Sequence, residues 1–194
     1  MPVQIGAKLH DFSNPMGLLT DCHGRIKQFL GTLEAVAKEL DRPYREETAR
    51  ALATALQYFK HAAPKHNADE EESLFPRLRR LQHAVETQAM LAQLEELESE
   101  HEWAAPLHAE LDRLGAQYLA SRAPLAPAEA EKFRGQVAQL AAMYRQHIHI
   151  EDVLVFPAAD RLLPPGERAA IAQEMSARRN LKPGLPIAPG PEKE

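Results

Sequence analysis

The stretch at residues 65–76 reads KHNADEEESLFP, and residues 146–157 read QHIHIEDVLVFP. At a constant offset of 81 residues, the two stretches share a histidine, a glutamate four residues later, a second acid directly after it and a Phe-Pro pair. A given site matches His, Glu, Phe and Pro together by chance on the order of 1 in 100,000 times. We therefore interpret the stretches as a duplicated half-motif that pairs His66 with His147, Glu70 with Glu151, Glu71 with Asp152, Leu74 with Val155, Phe75 with Phe156, and Pro76 with Pro157.

Helical spacing of apolar residues extends outward from these stretches over most of the chain. The residues recur at alternating steps of three and four, which places them on one face of a helix, and strand-like alternation is absent. Four long amphipathic segments with short connections predict an all-α fold, an antiparallel up-down-up-down four-helix bundle. The apolar members of the four stripes are Leu19, Cys22, Ile26, Phe29, Leu33, Val36 and Leu40; Leu52, Leu56, Phe59, Ala63 and Leu74; Met90, Leu94, Leu97, Ala104 and Leu111; and Phe133, Val137, Leu140, Tyr144 and Leu154.

Prolines set the predicted boundaries. We expect an irregular lead-in at residues 1–15, the bundle domain with an additional short C-terminal helix at 16–180, and a disordered Pro/Gly-rich tail at 181–194. The Arg-Pro pair at 42 and 43 should end the first helix. The additional helix is predicted from residues 164–165 to about 179. Pro64 and Pro106 each remove a backbone hydrogen bond, so they should bend or restart the second and third helices.

Composition narrows the classes of function. The 194 residues suit one domain with a sizeable core. A net charge of -5 argues against a nucleic-acid surface, and no apolar run approaches the roughly 20 residues that a membrane span needs. The single cysteine cannot form an internal disulfide, and the first ten residues lack the long apolar core of a signal peptide. We therefore expect a cytoplasmic protein without nucleic-acid or membrane partners, and the sequence carries no signal for an oligomeric state.

Six polar residues at stripe positions or beside them are the candidate metal ligands: His23, His66, Glu70, His101, His147 and Glu151. An ionised carboxylate is costly to bury unless a partner compensates its charge, and a metal ion compensates several groups at once. His66 with Glu70, and His147 with Glu151, are i, i+4 pairs, so each pair projects from one helix face. In an up-down-up-down bundle all six side chains can reach one level of the core.

The donor set fits two metal ions. Two octahedral ions have about twelve coordination positions, of which four imidazoles, two bridging carboxylates and an oxo or hydroxo bridge fill about ten. About two positions remain for water or an exogenous ligand. Imidazole and carboxylate without thiolate favour iron, with manganese or zinc less favoured.

The ordered pattern His, His-x3-Glu, His, His-x3-Glu, carried by these six residues over roughly residues 16–160, resembles the hemerythrin-like HHE cation-binding family. The resemblance implies a non-haem di-iron centre, bridged by the two glutamates, that meets dioxygen, nitric oxide or peroxide. Oxygen-carrying hemerythrins have another histidine four residues after the one on the third helix, where this chain has Ala105. They also use His-x4-Asp on the fourth helix, which makes Asp152 an alternative ligand. We prefer Glu151 because only Glu151 continues the stripe.

The remaining polar residues have plainer interpretations. His108 lies about 10.5 Å along the helix axis from His101, too far to share one metal, and is interpreted as a core or rim histidine hydrogen-bonded elsewhere. His149 should face solvent. Glu71 belongs to a solvated acidic run and can orient a ligand, and Cys22 behaves as a small hydrophobe. Ordinary polar residues are predicted at His10, His61 and His83.

Three functions fit these observations. The leading hypothesis is a non-haem di-iron protein that binds or senses a small oxidant or diatomic ligand (dioxygen, nitric oxide or peroxide) or iron itself. The first alternative is a di-iron enzyme that decomposes peroxide or reduces nitric oxide at the position that Ala105 leaves open. The second alternative is a metal-free helical interaction module.

Overall fold

The computed structural model describes residues 10–81 and 88–181, and every regular element within them is a helix. The elements are α1 (Pro15–Ala37), α2 (Glu46–His61), α3 (Ala63–Ala68), the π-helical turn π1 (Asp69–Leu74), α4 (Phe75–Arg79), α5 (Gln88–Ser121), α6 (Pro127–Ile150), the π-helical turn π2 (Glu151–Val155), α7 (Phe156–Leu162) and α8 (Pro165–Arg178). They form four long rods: α1, then α2 to α4, then α5, then α6 to α7. The predicted all-α four-helix bundle with a short C-terminal helix is confirmed.

The four rods are arranged in a square. α1 packs against α2 and α6, and α5 packs against the same two helices, so α1 and α5 lie on one diagonal of the bundle. Each level of the core is therefore walled by side chains from all four rods. α8 packs across one end, against π1 and α1. Among the described residues, no helix is both long enough and apolar enough to cross a membrane.

Capping residues and prolines determine the helix ends. The side-chain oxygen of Asn14 accepts a hydrogen bond from the N–H of Gly17 at the start of α1, and Pro15 occupies the first helical position. α1 ends at Ala37, earlier than the predicted end at residues 42–43. The second rod restarts around Pro64 as predicted, whereas α5 continues through Pro106 without a restart. Residues 1–9 of the predicted lead-in, residues 182–194 of the predicted tail, and position 83 lie outside the described residues.

Both half-motifs contain a π-helical turn that begins at or beside their glutamate. The N–H of Phe75 donates to the carbonyl of Glu70, five residues earlier, and the N–H of Phe156 donates to the carbonyl of Glu151. The proline that follows each phenylalanine has no N–H to continue α-helical bonding, which favours a wider turn before it. The repeated Phe-Pro pair thus places the same distortion in both half-motifs. The plain α-helix that the spacing predicts there is wrong over Asp69–Leu74 and Glu151–Val155.

The predicted stripes form the core. Leu33, Leu52 and Leu111 have no exposed surface, and Phe29 is half-buried. Leu154 is the exception, because it is 36% exposed while Val155 is 0% exposed. The π turn adds one residue before the next α-helical turn, so the core-facing position advances from 154 to 155. The prediction that Leu154 lies in the core is therefore wrong.

Candidate metal centre

A polar layer divides the bundle core into two apolar clusters. The larger cluster contains Ile26, Ala63, Ala104 and Tyr144, and the smaller one contains Leu19, Leu74, Leu97 and Val155. Each rod contributes polar side chains between its own members of the two clusters. The layer consists of the six predicted ligands, each at most 6% exposed: His23, His66, Glu70, His101, His147 and Glu151.

Each glutamate of the layer contacts two histidines, one on its own rod and one on a neighbouring rod. Oε1 of Glu70 lies 3.2 Å from Nε2 of His66, and its Oε2 lies 3.7 Å from Nε2 of His101. Both carboxylate oxygens are thereby directed at different imidazoles. Glu70 can therefore offer one oxygen beside each of two imidazoles.

The second glutamate also contacts two histidines, but it does so with one oxygen. Oε2 of Glu151 lies 3.1 Å from Nε2 of His23 and 3.3 Å from Nε2 of His147. Two candidate metal positions follow, since the ligand atoms of each group lie within 4.8 Å of one another. Position 1 is the group of His23 and His66 with both Glu70 and Glu151, and position 2 is the group of His101 and His147 with Glu70 alone.

Three of the four imidazoles contact a second carboxylate, here called an outer carboxylate, through Nδ1, the ring nitrogen that faces away from the layer. The pairs are Nδ1 of His23 with Asp152 at 2.7 Å, Nδ1 of His101 with Glu71 at 2.6 Å, and Nδ1 of His147 with Glu100 at 2.8 Å. An imidazole that donates its Nδ1–H to a carboxylate directs the lone pair of Nε2 into the layer, as metal-binding histidines do. Asp152, the alternative ligand of the sequence prediction, thus lies behind His23, while Glu151 faces the layer. The expectation that Glu71 can orient a ligand agrees with its contact.

Sequence reasoning missed Glu100. The residue is half-buried, and its partner His147 belongs to another rod. Its only local signal is that it is an acid directly before His101. That signal is weak in a helix with many glutamates.

The surroundings of the two glutamates shift their pKa values in opposite directions. Burial and the nearby charge of Glu151 raise the pKa of Glu70 well above its usual range. Burial also acts to raise the pKa of Glu151, but contacts with His147 and His23 outweigh it and lower that pKa far below its usual value. Burial acts to lower the pKa of His23 and of His147, yet their carboxylate partners raise both. Burial and the neighbouring imidazole of His23 lower the pKa of His66 well below its ordinary value.

The geometry of the layer suits metal coordination better than hydrogen bonding. All four carboxylate oxygens of Glu70 and Glu151 are buried and, within the described residues, none is aligned with a hydrogen-bond donor, despite the short distances to imidazole nitrogens. Ligand atoms about 2.1 Å from one octahedral ion lie roughly 3.0 Å apart. The spacings of 3.1–3.3 Å around Glu151 are close to that value. The residues present therefore fit a pair of metal ions.

The other histidines lie outside the layer. Nε2 of His108 is 3.1 Å from Oη of Tyr144, its ring stacks on Phe59, and burial lowers its pKa to about 4. The interpretation of His108 as hydrogen-bonded elsewhere is confirmed. His149 is exposed, as predicted, and His61 is exposed as well. His10 is also exposed and lies beside Asp21.

Cys22 is buried beside the layer, as its predicted position on the helix stripe implies, but it belongs to neither of the two apolar clusters. Its Sγ accepts a hydrogen bond from Nη2 of Arg25 at 3.1 Å. The thiol therefore already has a polar partner on its own helix.

A cavity of about 530 Å³ opens between the second rod and α5. Ala104, Ala105 and Ala109 line its α5 side, and His101 and Tyr144 reach it from the core. The small side chain at position 105 contributes to this space. A small molecule in the cavity would lie against an imidazole of position 2.

Comparison with known proteins agrees with this architecture. Residues 14–173 match the model of the Hemerythrin HHE cation binding domain, and this segment contains all six layer residues. An uncharacterized protein of Haemophilus influenzae is 27% identical over 172 residues, which cover 88% of this chain and 93% of that relative. The chain therefore belongs to the hemerythrin HHE cation-binding domain family.

Proposed function

We propose that the polar layer holds two iron ions and that the protein binds or senses a small oxidant or diatomic ligand there. His23 and His66 would be terminal ligands at position 1, and His101 and His147 at position 2. Glu70 and Glu151 would bridge the two positions. Iron bound in this way supplies redox reactivity toward dioxygen, nitric oxide or peroxide.

The contact between His101 and His147 carries the proposal. Their Nε2 atoms are 3.1 Å apart, and each ring has its Nδ1 on an outer carboxylate. Two lone pairs at this distance repel each other unless a proton or a metal ion lies between them. A proton satisfies only this pair of nitrogens. A metal ion there also satisfies an unpaired oxygen of Glu70, which belongs to the same group of ligand atoms.

The surrounding residues prepare the layer for this task. The two apolar clusters exclude water from both faces, which strengthens every charge interaction between them. Asp152, Glu71 and Glu100 fix the tautomers and the orientations of three rings. The cavity beside Ala105 offers an approach for the exogenous ligand.

Metal analysis tests the proposal. Protein purified without a chelator should contain close to two irons per chain, with an absorption spectrum that differs between aerobic and anaerobic preparations. His147→Ala should lose iron, whereas His149→Ala is the matched control, because this exposed histidine lies two residues away on the same helix. An iron-free protein of unchanged stability would contradict the proposal and favour the metal-free interaction module.

A catalytic role is the second candidate, and the cavity favours it. At about 530 Å³ the space is far larger than the roughly 30 Å³ of one water molecule, so it can admit a substrate and release a product. Continuous consumption of peroxide or nitric oxide would support an enzyme, and stoichiometric binding without turnover would exclude one. Ala105→His should slow turnover by filling the space beside His101. Ala109→His, one turn farther along the same wall, should slow it less.

A further inference from the structure

The duplication seen in the second and fourth rods extends to α1 and α5. At a constant offset of 78 residues, His23 matches His101, and one buried stripe residue on either side matches as well. These matches are Leu19 with Leu97 and Leu33 with Leu111, all fully buried. The bundle core therefore has an approximate internal two-fold relation that exchanges position 1 with position 2.

The outer carboxylates follow this relation in one pair of contacts. Glu71 accepts from His101, and its counterpart Asp152 accepts from His23, the counterpart of His101. Each half-motif thus supplies a positioning acid to a histidine on a neighbouring rod. In this respect positions 1 and 2 are alike.

The relation fails at the next contact. Glu100 on α5 accepts a hydrogen bond from Nδ1 of His147. At the offset of 78 residues, the α1 residue that corresponds to Glu100 is Cys22, which has no carboxylate. Nδ1 of His66, the counterpart of His147, is buried and has no hydrogen-bond partner in residues 10–81 and 88–181. The thiol of Cys22 accepts from Arg25 instead. Position 2 therefore has two carboxylate-held imidazoles, and position 1 has one.

The direct ligands differ less than the outer contacts do: position 1 groups with both glutamates and position 2 with Glu70 alone, but Glu151 also lies 3.3 Å from Nε2 of His147 at position 2. Each position has two imidazoles, and each glutamate contacts one imidazole from either position. Loss of one outer hydrogen-bond partner typically lowers metal affinity 10–100-fold, because the partner orients the ring and raises its basicity. We infer that the two metal positions are unequal, and that position 1, beside His66 and Cys22, binds its ion more weakly and exchanges it first. The inference rests on the proposed two-metal function.

Titration of the metal-free protein with Co²⁺, followed by calorimetry and by absorption, tests the inference. We expect two steps whose affinities differ by about 10–100-fold. His66→Ala should remove the weaker step and retain the tighter one. Glu100→Gln should weaken the tighter step and bring the two affinities together, and Asp152→Asn should weaken the weaker step. Cys22→Ser is the control and should change neither.

Two equal steps, or a Glu100→Gln variant that loses affinity only in the weaker step, would overturn the inference and leave two-metal binding intact. Absence of any Co²⁺ binding would instead overturn the proposed function and the inference together. Circular dichroism of each metal-free variant establishes that a lost step does not reflect a lost fold.

Discussion

Glu70→Gln should stabilise the metal-free protein, whereas the equivalent change at Glu151 should destabilise it. Both side chains are 0% exposed. Burial and the charge of Glu151 raise the pKa of Glu70, while contacts with His147 and His23 overcome burial and lower the pKa of Glu151. The duplicated sequence therefore contains two matched glutamates whose charges have opposite effects on folding.

The size of the Glu70 effect follows from its protonation. Because its folded pKa lies above the ordinary value of 4.5, the folded state keeps a proton that the unfolded chain releases, and stability falls as the pH rises above 4.5. At about 1.4 kcal/mol per pH unit, the loss at pH 7 is at most about 3.4 kcal/mol. Gln removes this loss, so we expect a gain of roughly 1–3 kcal/mol, or several degrees in Tm.

For Glu151 the effect of the charge on folding stability has the opposite sign. Its lowered pKa means that its charge stabilises the folded state above the ordinary value of 4.5, and this contribution is lost as the pH falls through the folded pKa. Glu151→Gln leaves His23 and His147 without their shared buried counter-charge. Removal of one partner from a buried ion pair costs about 3–5 kcal/mol.

Urea unfolding of chelator-treated protein at pH 5 and pH 8 measures both effects. The advantage of Glu70→Gln over the parent should be larger at pH 8 than at pH 5, and Glu151→Gln should be less stable than the parent at both. Glu34→Gln, at an exposed site on α1, should change stability by less than about 0.5 kcal/mol. A common direction for the Glu70 and Glu151 variants would refute the charge assignment.

Three further changes test other parts of the structure. The pKa of His108 is lowered to about 4, so the unfolded chain takes up its proton first and stability declines by up to about 3 kcal/mol as the pH falls from 6.5 to 4; His108→Leu should show a smaller decline in urea unfolding. Asp69→Asn removes the buried charge that Arg178 and Arg179 contact from the C-terminal end of the chain, and should lower the free energy of unfolding by about 3–5 kcal/mol. Pro76→Ala restores a backbone N–H that favours an α-helical turn over π1, and should weaken metal retention in chelator competition more than it lowers stability.

Local spacing was sufficient to predict the bundle and the composition of its polar layer. Steps of three and four place Leu33 or Leu111 in the core without knowledge of the partner helix, and the i, i+4 spacing places His66 and Glu70 on one face. The duplication then related these local patterns to one level of the bundle. Each of these inferences depends on geometry within a single helix.

The features that the sequence did not predict depend on relations between rods or on backbone bonding. Glu100 contacts an imidazole 47 residues later in the chain, so only the packing of α5 against α6 brings the two together. The π turns arise from the missing N–H of a proline, and they move the core position from Leu154 to Val155. A Phe-Pro pair after a ligand acid is the sequence signal that could have indicated them.

Charge balance gives the outer carboxylates a second role. Two divalent ions would bring four positive charges into the layer, of which Glu70 and Glu151 compensate only two. The outer acids Asp152, Glu71 and Glu100 add three negative charges within hydrogen-bonding distance of the imidazoles, and Lys27, 3.6 Å from Asp152, offsets one of them. The net charge of these six side chains therefore balances two divalent ions, because opposite charges in a buried layer compensate one another over short distances. Two trivalent ions would exceed this balance by two charges, which bound anions or released protons must then compensate, so the affinity of the centre for anions should depend on its oxidation state.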